Sequence, residues 1–266
     1  MIGSAKDRWS SGDLYEPYVG RWSRLVAREF LAWLDVPAGL DWLDVGCGTG
    51  ALTAAVADRC APGRLAGIDP SAGFLDFARE RLGDAGAELR QADAQDLPFG
   101  PAEFDRVVSG LVLNFVPDGA RAAAEMARVA RPGGAVALYV WDYADRMEMM
   151  RRFWDAAVAL DPSAGALDEG RRFTVCRPEP LRALFEGAGL AQVETRAIDV
   201  PTVFRDFDDY WTPFLGGQAP APGYCTSLGE EARGALRERL RASLPARPDG
   251  SIHLVARAWA VRGCKG

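Results

Sequence analysis

Histidine is nearly absent from this 266-residue chain, with His253 the only one. Cysteine is scarce and unpatterned. Cys47, Cys60, Cys176, Cys225 and Cys264 are odd in number, far apart and without a C-x-x-C pair. That argues against a zinc cluster or a disulfide framework and fits a reducing cytosol. Basic residues are not in excess: 31 stand against 37 acidic ones, for a net charge of −6 and a sequence pI of about 5.0. General nucleic-acid affinity needs a basic face, which this balance does not supply. Long apolar runs are missing too, since a stretch such as 135–141 is far too short to span a bilayer. The N-terminal Met-Ile-Gly-Ser-Ala-Lys-Asp-Arg-Trp has no signal core, and no repeat or low-complexity tract is present. These absences point to a cytoplasmic protein with no nucleic-acid partner and no membrane span.

What is there is an ordinary globular composition, 48% hydrophobic and 26% charged, on a chain long enough for one full core with a cap. Residues 43–50 read Leu-Asp-Val-Gly-Cys-Gly-Thr-Gly. They run from an apolar strand (Trp42, Leu43, Val45) through a glycine turn into a helical pattern (Ala51, Leu52, Ala54, Ala55, Val56). A glycine turn there lets backbone approach a ligand closely, and helix N-terminal amides face whatever sits on it. A nucleotide-like cofactor suits such a turn.

Around the turn, strands and helices alternate. Strands are expected over 41–45, 64–69, 88–92, 104–109 and 135–141, and helices over 23–34, 51–59, 72–82 and 119–130. Ser23 and Ser71 are placed to cap two helices, and Arg131-Pro132-Gly133-Gly134 reads as a helix stop before a strand. Alternation of this kind implies parallel strands joined by right-handed crossovers, with ligands at the carboxyl ends of the strands. After Trp141 the pattern changes. Residues 142–160 read as an aromatic, Met-rich helix, 178–188 and 227–243 as helices, 191–200 and 252–261 as strands, and 216–223 as a Gly/Pro loop. Segment 204–214 carries five aromatics, Phe204, Phe207, Tyr210, Trp211 and Phe214.

Two cofactors compete for the turn. The glycines are Gly46, Gly48 and Gly50, and the third glycine of a dinucleotide turn is replaced by Ala51, a substitution that does not exclude NAD. Asp69, ending the second strand, suits ribose hydroxyls in either case. Asp44, directly before the turn, favours a different guest: a carboxylate there orients the turn or takes an ammonium, and would repel a pyrophosphate. Asp93-Ala94, after the third strand, can take an adenine amino group. The Pro-Gly-Gly before the fifth strand adds a third tie.

These segments together resemble the class I S-adenosylmethionine-dependent methyltransferases, of the bacterial small-molecule type with a methyltransferase domain of the 11/25 kind. The matching pieces are 43–50, Gly-Ile-Asp-Pro-Ser at 67–71, Ala-Asp-Ala at 92–94, Phe-Asp-Arg-Val-Val-Ser at 104–109 and Arg-Pro-Gly-Gly at 131–134. They stand in the family's order and spacing over residues 41–141. Tyr-Val-Gly-Arg-Trp-Ser at 18–23 also looks like an N-terminal element of many bacterial members. The resemblance implies a doubly wound α/β fold: a mostly parallel seven-stranded, Rossmann-like sheet with helical cap or lid insertions. It divides the chain into an N-terminal lid or helical segment (1–40), a cofactor-binding core (41–141), and acceptor-side helices with C-terminal strands completing the same sheet (142–266). It implies S-adenosyl-L-methionine as cofactor. Gly46 and Gly48 should lie under its methionine and ribose, with Asp44 and Cys47 on the same turn. Asp69 should hold the ribose hydroxyls, and Pro70 should pack on the adenine. Asp93 and Ala94 should hold the adenine edge, and the Ser109 backbone should line the methionine end. Arg21 is a candidate partner for the cofactor carboxylate.

The reaction implied is in-line displacement at the sulfonium methyl, where alignment and water exclusion matter most. A base is needed only if the acceptor loses a proton. Asn114, Tyr139, Asp142 and Tyr143 are the catalytic candidates, with Asp145 a further possible base. His253, in the last strand, reads as structural, and Cys47 serves through its amide and not as a nucleophile. Segment 109–114 lacks the Asn/Asp-Pro-Pro-Tyr pattern of base amino-methylation, which favours a small-molecule acceptor, with the protein a monomer or homodimer. Aromatics at 139–154 and 204–214 are expected in part to line the acceptor pocket. A nicotinamide-dependent oxidoreductase and a non-catalytic cofactor-binding module are the alternatives.

Overall fold

The computed structural model describes residues 16–83, 85–217 and 219–266. Much of the expected lid, Trp9 and Tyr15 included, lies outside the described residues. A π-helical turn, Glu16–Gly20, runs into α1 (Arg21–Leu34). Then follow β1 (Asp41–Val45), α2 (Ala51–Cys60), β2 (Arg64–Asp69), α3 (Ala72–Leu82) and β3 (Glu88–Gln91). β4 (Phe104–Gly110), α4 (Gly119–Val129) and β5 (Ala130–Trp141) complete the alternating part. Beyond it lie α5 (Glu148–Leu160), a short α6 (Glu169–Arg172), α7 (Pro178–Gly187) and β6 (Leu190–Phe204). α8 (Phe207–Trp211), α9 (Pro220–Ser227), α10 (Glu230–Ser243) and β7 (Ile252–Lys265) end the chain.

The strands form a seven-stranded sheet in the order β3-β2-β1-β4-β5-β7-β6. β1 pairs in parallel with β2 and β4, β2 with β3, and β4 with β5. The chain winds outward from β1 to β3 and then returns to the other side of β1. That reversal is the switch point where open α/β sheets bind ligands. Trp42, Val45, Ile68, Val107 and Val136 are buried along these strands, each large apolar side chain contributing about 1.5–3 kcal/mol by leaving water.

Contacts divide the chain into two compact units. The sheet unit comprises Ser23–Val140, Val175–Ile198 and Ala258–Gly266, and so holds β1–β4, most of β5 and the helices between them. The other, here the aromatic unit, comprises residues up to Trp22 together with Trp141–Thr174 and Asp199–Arg257.

Several boundaries differ from the sequence expectation. Ser23 does not cap α1: the π-helical turn runs straight into the helix, so no free end lies there and Ser23 is buried inside it. Ser71 does cap α3, accepting the Phe74 N–H at 3.3 Å. Arg131-Pro132-Gly133-Gly134 is not a stop before β5 but an irregularity within it. Phe104 pairs with Ala130 while Arg106 pairs with Ala135, and Gly133 takes up the extra chain at φ +75°. Arg131 pins the bulge by donating to Asp105 at 2.8 Å and Asp41 at 2.9 Å. Residues 142–147 are not helical, because the Asp142 carboxylate and carbonyl accept the Asp145 and Met147 N–H groups and hold a turn. The supposed loop at 216–223 ends in α9, started by Pro220, whose fixed φ suits a first helical position. Helix α10 starts at Glu230, after Ser227.

Candidate functional site

The site is built on the carboxyl ends of β1, β2 and β4. β1 ends at Val45, and Gly46, Gly48 and Gly50 all have positive φ (74°, 54° and 79°). The Gly46 and Cys47 N–H groups both donate to the Ile68 carbonyl at 2.8 Å, folding the turn back over β2. A Cβ on Gly46 would lie 2.6 Å from Val112, and one on Gly50 would lie 3.2 Å from Ala78. On Gly48 it would meet nothing within 4 Å. The turn is therefore packed from behind at Gly46 and Gly50 and open at Gly48.

Asp69 closes this arrangement. Its Oδ2 accepts the Gly48 N–H at 3.0 Å and its Oδ1 accepts the Ser71 N–H at 2.8 Å. Each carboxylate oxygen retains accepting capacity for a diol. Burial pushes the Asp69 carboxyl above its usual range, against those two hydrogen bonds. Asp44 is 1% exposed and accepts the Thr53 hydroxyl at 2.6 Å through Oδ2. Its Oδ1 is buried without a hydrogen-bond partner, and burial, with a further contribution from Asp69, pushes its carboxyl up to about 7. A buried carboxylate oxygen with no donor is costly, and a cation or donor reaching it offsets that cost.

The other sequence candidates in the sheet unit lie near the carboxyl ends of β1 to β5. The buried Ser109 hydroxyl donates to the Val45 carbonyl at 2.7 Å, locking β4 to β1. Leu111, two residues on, sits at φ +64°, a strained conformation for a γ-branched residue of the kind held at functional sites. Pro70 is exposed, and its carbonyl accepts the Gln91 amide at 2.9 Å. Asp93 is exposed and bonded to Gln95, while Ala94 is buried beside it. The Cys47 thiol is buried, and burial pushes its pKa up, so it stays neutral and is not a nucleophile. Asn114 follows β4 in a short 3-10 turn, and both its amide atoms are buried with no hydrogen-bond partner. Tyr139 is buried with its ring 4.7 Å from Phe30.

Four candidates, Arg21, Asp142, Tyr143 and Asp145, fall in the aromatic unit. Arg21 donates to Asp209 at 3.1 Å and 3.3 Å and lies 4.4 Å and 4.8 Å from the ring centres of Trp22 and Phe204. Asp142 holds the turn before α5, and burial raises its pKa. Tyr143 is buried with its ring 5.3 Å from Phe173. Asp145 lies within that turn and donates its N–H to the Asp142 carboxylate. His253, on β7, is exposed. Glu169 escaped the sequence reading. It sits in a charged run, Asp168-Glu169-Gly170-Arg171-Arg172, that reads as solvated loop. In the structure it is 2% exposed and bonded to the Trp154 indole N–H, and burial pushes its carboxyl up to about 7. Several aromatics of the two expected segments pack on one another. Phe153 stacks on Phe214 at 4.4 Å, and Phe214 meets Tyr18 edge-on at 5.5 Å. Among the described residues no cluster could hold a metal ion, and no helix is long and apolar enough to cross a membrane.

The family profile described as "Methyltransferase domain" matches residues 43–138, from β1 through most of β5. Demethylmenaquinone methyltransferase of Bacillus licheniformis is 33% identical over 175 residues, covering 60% of this chain and 75% of that protein. The chain belongs to the class I S-adenosylmethionine-dependent methyltransferases. The enzyme of that name from Staphylococcus aureus is 30% identical over 188 residues, covering 66% of this methyltransferase and 76% of its relative. Among solved structures, the YcgJ protein of Bacillus subtilis shares the fold at TM-score 0.59 and 18% identity, covering 92% of this chain and 98% of that one. Phosphoethanolamine N-methyltransferase 2 of Haemonchus contortus, in complex with S-adenosyl-L-methionine, does so at 0.56 and 17%, covering 92% and 52%. The protein is thus a small-molecule methyltransferase that uses S-adenosyl-L-methionine.

Proposed function

We propose that the methyltransferase transfers a methyl group to a small acceptor built on an aromatic ring, and that the glycine turn with Asp69 holds the cofactor. The observation that carries the cofactor reading is the open face at Gly48, with Asp69 Oδ2 bonded to its amide. Asp69 takes the ribose hydroxyls and the orphan Oδ1 of Asp44 takes the ammonium of the methionine moiety. The exposed Pro70 face, with Asp93 and Ala94, frames the adenine. Gly46, Cys47 and the Ser109 backbone line the methionine end. When bound, the cofactor supplies an activated methyl on a neutral leaving group. The protein's part is to orient the acceptor and keep water out.

The acceptor class rests on the relatives named as demethylmenaquinone methyltransferases. Asn114, whose amide has no partner, orients the acceptor. Free cysteines throughout support a reducing compartment and hence the cytoplasm. Two measurements test the reading. S-Adenosylhomocysteine should bind by calorimetry and NADH should not. Labelled S-adenosylmethionine should pass its methyl to reduced demethylmenaquinone in preference to ethanolamine. Binding of NADH in place of S-adenosylhomocysteine overturns the cofactor assignment, and preference for the amine overturns the acceptor class.

A further inference from the structure

The aromatic unit contains a cavity of about 390 Å³ that shares no residue with the glycine-turn site. It lies between the last turn of α5 and the first two turns of α10, with Tyr224 of α9 in its wall. The gap exists because α10 presents Ala232 and Ala235 on that side, where larger side chains would fill it. Its apolar surface comes from Leu160, Leu228 and Leu236, and Leu160 is left 47% exposed.

The polar groups are few and of one kind. Tyr224 is 8% exposed, with its ring 5.7 Å from Trp154 and 6.3 Å from Phe153. Its side chain lines the cavity, and its hydroxyl, which makes no hydrogen bond among the described residues, can accept from a guest there. Asp161 lies near enough to act electrostatically on Tyr224. Its Oδ1 accepts the Ser163 N–H and hydroxyl at 2.9 Å and 2.6 Å, which holds the carboxyl below its usual range. Both of these bonds fall on Oδ1, which leaves Oδ2 to accept from a guest. Glu231 stands across the opening on α10. Two carboxylates and a phenol, with no basic side chain in the wall, complement a cation that also carries apolar surface.

We propose that this cavity binds an amphiphilic ammonium ligand, its cationic head held by Asp161, Glu231 and the Tyr224 hydroxyl and its alkyl or aryl body covering Leu160, Leu228 and Leu236. The three polar groups select the head, since an alcohol of equal length offers no charge and a carboxylate is repelled. The apolar wall supplies affinity in proportion to the surface it covers. The cavity lining contains none of the residues proposed to hold the cofactor.

Calorimetry on the full chain with n-octylammonium chloride, n-octanol and octanoate tests it. Octylammonium should bind about tenfold tighter than octanol, and octanoate should not bind measurably. Glu231→Gln, on an exposed helical position, should bring octylammonium down towards octanol. Ala235→Trp should fill the space and abolish binding, and both variants should keep their affinity for S-adenosylhomocysteine. If Ala235→Trp does not fold, the Glu231→Gln comparison decides alone. Equal affinity for octylammonium and octanol, octylammonium binding that survives a folded Ala235→Trp, or no binding by the wild type each overturns the proposal.

Discussion

Asp69 Oδ2 accepts the Gly48 N–H at 3.0 Å, so the carboxylate at the end of β2 and the open glycine of the turn after β1 form one unit. Replacing Asp69 by Ala removes the proposed ribose acceptor and the tie that sets the turn. With hydrogen bonds to a charged group worth about 1.5–3 kcal/mol each, S-adenosylhomocysteine affinity should fall by about a hundredfold or more. Asp69→Asn, which keeps one acceptor oxygen, should fall less. Titration calorimetry measures both, and unchanged affinity in Asp69→Ala sinks the assignment.

Gly46 has a second constraint besides its φ of +74°, since a Cβ there would press into Val112 at 2.6 Å. Gly46→Ala should lower stability by about 1–3 kcal/mol, the range for overpacking and backbone strain. Adding Val112→Ala should recover part of the loss but not all of it, because the backbone strain stays. Denaturant melts of the two single variants and the double variant read this directly.

Asp44 and Glu169 make stability depend on pH. Burial raises their folded pKa values to about 7 from 3.8 and 4.5. The folded state therefore holds protons that the unfolded state has already released between roughly pH 4 and 7. This contribution is fully present below the unfolded values and is lost as pH rises through 7. The ligand-free protein should melt at a lower temperature at pH 8 than at pH 5.5, and Asp44→Asn should flatten that slope. If the cofactor's ammonium sits on Asp44, binding near pH 6 should also release a proton, visible as buffer-dependent heats.

Arg21 is tied to Asp209 with side-chain exposures of 25% and 14%. Arg21→Ala should destabilise the protein by about 1 kcal/mol, as for a partly exposed pair with good geometry. A cycle with Asp209→Ala should show the two residues coupled. S-Adenosylhomocysteine affinity should not change. A large loss of affinity would instead return Arg21 to the cofactor.

Asn114 has no partner for either amide atom. Asn114→Ala should leave the melting temperature unchanged or slightly raised, since an unpaired buried amide contributes desolvation cost and no compensating bond. By contrast, Thr53→Ala, which strips the donor from Asp44, should lower it.

Much of the sheet unit was legible in the order of residues. The glycine turn, Asp69 and Ser71 act through neighbours a few residues away or through a strand register that the apolar pattern already implies. β1 and β2 fall where the hydrophobic run and its flanking turns place them. The bulge in β5 was not legible. Pro-Gly-Gly reads as a stop by local rule, and only Arg131 bridging to Asp41 and Asp105, distant in sequence, draws it into the strand. Arg21 looked free for a cofactor until the fold brought Asp209 to it from 188 residues away. Glu169 carried no sequence signal, and only the fold, through Trp154 of α5, buries it and gives it a partner. The sequence by itself determined the cofactor and the glycine turn after β1, because a turn of this kind is written in one contiguous motif. The tertiary structure alone decided which charged side chains are paired, buried or left facing a cavity, because that depends on which distant elements exclude water around them.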